Sequence, residues 1–129
     1  MLPALVLQLL ERFGILEGLG DIANDQAANL LRRKFQRIAP RVVADLENDG
    51  FDYTTTTAAR GTAPAAYVAG IIYRLMRESS DELPGVLVDQ VRDRHAKRVQ
   101  ERVADRLTPE TSHEAAVKMI ADEFVNSLF

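Results

Sequence analysis

The chain predicts an all-α fold, a compact bundle of about five helices with one threonine-rich loop, built as a single helical domain over residues 1–129. Three observations carry this reading. Apolar residues recur at three- and four-residue spacing through most of the chain, the period of one helix face. Short Gly-, Pro- or Ser-containing breaks separate these segments, and no run of alternating residues makes a convincing strand. A chain of 129 residues with 47% apolar and 27% charged residues is also of ordinary size and composition for one globular domain with its own core.

The first helix is read from Leu2, Leu5, Val6, Leu9, Leu10, Phe13 and Leu16, with Pro3 in its first turn and an end near Leu16, where Gly14, Gly18 and Gly20 weaken it. Asp21 is the expected cap of a second helix whose buried side carries Ile22, Ala23, Ala27, Leu30, Leu31, Phe35 and Ile38. Pro40 is expected to break or kink it, leaving a short continuation that stops at Asn48-Asp49-Gly50. Residues 52–62 lack a helical period, and four consecutive threonines favour a loop because β-branched side chains lose rotamer freedom in a helix.

Thr62 is the expected cap of a third helix running to about Glu78, with Pro64 in its first turn. Its interior is apolar almost all round, which suits the centre of a bundle, and Ala66 with Gly70 would let a neighbouring backbone approach closely. A fourth helix follows the Ser79–Gly85 turn and extends to about Leu107, with Val88, Val91, His95, Val99 and Val103 along its seam. Thr111 or Ser112 starts a fifth, in which Ala116, Ile120, Phe124 and Leu128 face inward.

Net charge is −3 and the pI about 5.4, so the bulk field does not favour a polyanion, and any nucleic-acid contact must come from a local patch. The patch that presents itself is Arg32, Arg33, Lys34, Arg37 and Arg41, five cations within ten positions that hold no Asp or Glu. These residues are the candidate anion- or partner-binding site. As a nucleic-acid site they would neutralise phosphates, and Phe35 among them would be placed to stack on a base. Phe35 also continues the apolar series Leu31–Phe35–Ile38, which assigns it to the core. A second row, Arg94, Arg98, Arg102 and Arg106, has four-residue spacing, but Asp93–Lys97, Arg98–Glu101 and Arg102–Asp105 are spaced for ion pairs within the helix.

No catalytic set emerges. Cysteine is absent, the two histidines have no partner at metal-ligand spacing, and there is neither a phosphate-cradling glycine loop nor a nucleophile elbow. No catalytic residue, metal, cofactor or small-molecule substrate is therefore expected. One motif does point to an enzyme: Arg106 and His113, with six residues between them, form a pair that resembles the R-x(4–6)-H signature of the HEPN-type helical ribonucleases. That resemblance implies an arginine and a histidine acting together on an RNA phosphodiester, commonly across a dimer. It spans eight residues, with Leu107 where the family usually has a polar side chain and Pro109 between the pair.

The longest apolar run, Leu2–Leu7, is far shorter than a bilayer span, and the amino-terminal segment lacks the basic start of a secretory signal, so a cytoplasmic location is expected. The leading functional expectation is a non-enzymatic interaction or assembly module, an adaptor or structural subunit that binds a protein partner and self-associates. Leu2, Leu5, Leu9, Leu128 and Phe129 are its candidate oligomer interface, since the chain carries more apolar helix surface than a small bundle easily hides. Nucleic-acid binding through residues 32–41 is the alternative, and a HEPN-like ribonuclease the remote one.

Overall fold

The computed structural model describes residues 2–15, 22–50, 65–108 and 110–129, and these contain five helices and no strand. They are α1 (Ala4–Arg12), α2 (Asn24–Asn48), α3 (Ala65–Ser79), α4 (Gly85–Val103) and α5 (His113–Ser127). The threonine-rich loop, the Thr62 cap and Pro64 lie outside the described residues, and α2 begins at Asn24 with Ala23, not Asp21, in the capping position.

Helix α1 stops earlier than its apolar period suggests. Gly14 takes a left-handed φ of 71°, and the Ile15 N–H reaches back to Leu10 O at 2.9 Å, closing the helix with a Schellman-type turn. At the start of α2 the Gln26 side chain accepts a hydrogen bond from the Ala23 N–H. Pro40 does not end α2, which runs unbroken from Asn24 to Asn48 and closes at Gly50 with φ 63°. Proline forfeits one ladder hydrogen bond there. Ile38, Ala39, Val42 and Leu46, buried on both sides of the proline, hold the helix together across that gap. Ser112 caps α5 by accepting from the Ala115 N–H at 3.1 Å.

Packing of α2–α5 makes a four-helix core in which α3 and α5 each touch both α2 and α4. Asp49 of α2 reaches Arg74 of α3, while Arg32 of α2 reaches Asn126 of α5 and Arg102 of α4 reaches Glu123. These registers make α2 and α4 run parallel to each other and antiparallel to α3 and α5. Helix α1 lies against α2 and adds its apolar face to the core. A chain of rings from four helices crosses the interior. Phe13 meets Phe35 edge-on at 5.9 Å, Phe35 stacks on Phe124 at 5.7 Å, and Phe124 meets His95 at 6.0 Å.

Helix α3 is less enclosed than its composition suggests, for Ala66 and Tyr73 are exposed and Gly70 is half-buried, so the small-residue pair is not a core contact. No helix among the described residues is long and apolar enough to cross a membrane.

Candidate partner-binding surface

The basic segment falls on α2, and helical geometry divides it. Phe35 is fully buried between Phe13 and Phe124 and is not available to stack on a base. Arg32, three residues before Phe35, points along the seam between α2 and α5, where its guanidinium donates to the side chains of Asn29 and Asn126. It works as a tie between helices. Lys34 is half-buried, while Arg33, Arg37 and Arg41 are exposed.

Those three arginines repeat every four residues and so stack along one outer face over about 12 Å at 1.5 Å per residue. No residue from 26 to 44 is acidic, so α2 itself offers Arg33 and Arg37 no counter-charge one turn away, whereas Arg41 has Asp45 four residues on. Among the described residues, no carboxylate lies within 4 Å of Arg33, Lys34, Arg37 or Arg41. Arg41 also stands near Glu78 across the α2–α3 contact. Glu78 is held above the ordinary carboxylate value, first by a hydrogen bond with Asp45, then by burial and by the Asp45 charge, while Arg41 pulls it back down. Arg33 and Arg37 are thus the least answered cations of the stripe.

Half of the second arginine row is answered by carboxylates, though not as its spacing predicts, while Arg94 stays exposed with no carboxylate within 4 Å among the described residues. Arg102 and Arg106 both reach across to Glu123 of α5, at 3.5 and 3.0 Å. Arg92 pairs with Asp89 and Asp93, at 3.3 and 3.0 Å. Arg98 donates weakly to the Ser127 carbonyl. The carboxylate of α5, invisible to an intrahelical spacing rule, wins because it faces two guanidinium groups at once.

Arg106 and His113 are not brought into one site within the chain. Arg106 is held by Glu123, ten residues or about 15 Å along α5 from His113. The His113 Nδ1 sits 2.6 Å from the hydroxyl of buried Tyr67 on α3. His95 is likewise engaged in the core: the Ser127 hydroxyl donates to the Phe124 carbonyl at 2.6 Å, so it can only accept from His95 Nδ1–H at 3.1 Å. Asp49, one of the acids near Gly50, is taken by Arg74 at 2.8 Å. Among the described residues, no group of three or more His, Asp or Glu is placed to hold a metal ion.

The residues expected at an oligomer interface are divided by burial. Leu9 is fully buried, Leu2 and Leu128 nearly so, and all three belong to the chain's own core. Leu5 is half-buried and Phe129 exposed. The apolar surplus read from α1 is therefore largely absorbed within the fold, where Val6, Leu9, Leu10 and Phe13 join the core.

Two features of the surface escaped the sequence reading. One is Asn126, whose amide diverts Arg32 from the stripe. The other is a groove of about 330 Å³ between α2 and α5, lined by Gln36, Ala39, Pro40, Val43, Glu114 and Lys118. Pro40 was the available signal, being a proline on the outward side of a helix that does not stop. Comparison of the chain with protein-family models, with curated proteins and with solved structures found no match.

Proposed function

We propose that this chain is a non-enzymatic helical interaction module that binds an acidic protein partner through the outer face of α2. The observation behind the reading is the row Arg33–Arg37–Arg41, exposed, evenly spaced and without an ion-pair partner within 4 Å among the described residues. Arginine at such a face suits carboxylate recognition, because its planar fork takes both oxygens at once. A partner helix with Glu or Asp at four-residue spacing would match the row's rise of about 6 Å per step. Protein is favoured over nucleic acid because the row is single and narrow, while the chain as a whole carries −3. Self-association is not required by this reading, since Leu2, Leu9 and Leu128 are already used within the fold.

The test is fluorescence anisotropy with a labelled helical peptide bearing Glu at four-residue spacing in an alanine background. Binding is expected in low salt, weakening as salt rises and at least about tenfold weaker in the Arg33→Glu/Arg37→Glu variant. A wild-type chain that ignores the peptide but binds duplex or single-stranded RNA or DNA would replace this reading with nucleic-acid recognition.

A further inference from the structure

We infer that the groove between α2 and α5 is the second half of the same docking surface, and that the partner is an amphipathic acidic helix which seats an apolar side chain beside Pro40. This rests on the basic face being a protein-binding face, and it specifies what else that partner must carry.

Placement is the first ground. Arg33 and Arg37 stand three residues before Gln36 and Pro40, and side chains three or four residues apart are neighbours on a helix. Gln36, Pro40 and Val43 line the groove, so the basic row and the groove share an edge. The chemistry of the two halves differs. Ala39, Pro40 and Val43 give an apolar floor, and on the far rim Glu114 is answered by Lys118 at 3.1 Å. An anion at the arginine row therefore meets no uncompensated carboxylate across the groove. A cavity of about 330 Å³ is at the small end of ligand-sized clefts, enough for one or two side chains.

The second ground is Pro40 itself. Its ring is exposed on an unbroken helix, where it removes the N–H that would have paired with the Gln36 carbonyl. A rigid apolar ring thus lines the groove in a turn of helix that has lost one ladder hydrogen bond. A helix that lays acidic residues on Arg33 and Arg37 points its next face, three or four residues round, into this floor. Charge complementarity selects an acidic segment, and the shared edge selects one that is amphipathic.

Two peptides separate this inference from the reading beneath it. One is the Glu/Ala peptide described above; the other replaces with Leu the alanines that flank the Glu row on one side. The leucine peptide is expected to bind about tenfold tighter, the effect of burying one large aliphatic side chain. Pro40→Ala and the near-isosteric Val43→Thr should each erase most of that gain while leaving the Glu/Ala peptide unaffected. Pro40→Ala is expected to restore a helix hydrogen bond, and circular dichroism with thermal unfolding checks that both variants are folded at the binding temperature. Equal affinity for the two peptides, with both lost in Arg33→Glu/Arg37→Glu, would overturn the groove and leave the basic face standing. Leucine-dependent binding that survives both groove variants would place the apolar contact elsewhere and also overturn it. No binding of either peptide would overturn both.

Discussion

His95 illustrates how one side chain's surroundings set its chemistry. With Nδ1–H given to Ser127, the remaining Nε2 lone pair is buried without a hydrogen-bond partner. A second proton there would have no acceptor, and burial, followed by the charges of Arg98 and Arg94, holds the imidazole below its ordinary value of 6.5. The unfolded chain therefore takes up this proton first. As pH falls through 6.5 the unfolded state binds more protons than the folded one, and stability drops until the folded value is passed. A Tm series from pH 8 to pH 5 should show this loss in the wild type, and His95→Phe should lack it. Glu78 acts in the opposite sense, because a carboxyl held above its ordinary value of 4.5 stabilises at low pH and loses that contribution as pH rises. Glu78→Gln should therefore flatten the part of the profile just above pH 4.5. At Ser112, alanine removes the α5 cap and should cost about 1 kcal/mol in urea unfolding. An unchanged midpoint would mean that Ala115 finds another acceptor.

At the scale of elements, α2 decides most of what the molecule presents. Most of its inner face was legible from spacing alone: Ala27, Leu31, Phe35 and Ile38 are buried as their period requires, while Ile22 and Leu30 are half-buried and Ala23, which precedes the helix, is exposed. Its continuity through Pro40 was not, because a proline's local penalty is set against packing contributed by helices distant in sequence. Since that penalty is about 3 kcal/mol in a helix interior, Pro40→Ala should raise stability, by about 1–3 kcal/mol if the surrounding packing is unchanged. Thermal unfolding measures it directly, and a destabilised variant would show that the proline is needed for the path of α2. The arginine row of α4 teaches the same point. Spacing predicted partners within the helix, yet Arg102 and Arg106 share Glu123 on α5. Exposed intrahelical pairs are worth only a few tenths of a kcal/mol, so a carboxylate facing two guanidinium groups readily displaces them.

Across the whole molecule, α1 has the largest consequence for a small part of the chain. Its leucines read as surplus surface until the helix is seen packed into the core, with Leu9 fully buried and Phe13 edge-on to Phe35. Leu9→Ala should therefore cost about 2–5 kcal/mol, as cavity-forming core substitutions do, rather than change only the oligomeric state. Chemical denaturation paired with light scattering distinguishes the two outcomes. The sequence by itself determined the all-helical class, the start of α5 at Ser112, the stop of α2 at Gly50 and the isolation of an acid-free basic segment. These are local properties, decided by backbone conformation and by the 3.6-residue period. Only the tertiary structure decided which arginines remain outside, where the leucines of α1 are spent, and that Pro40 floors a groove beside Arg33 and Arg37. Each of these depends on what a distant helix brings into contact, and residue spacing along one helix carries no record of that.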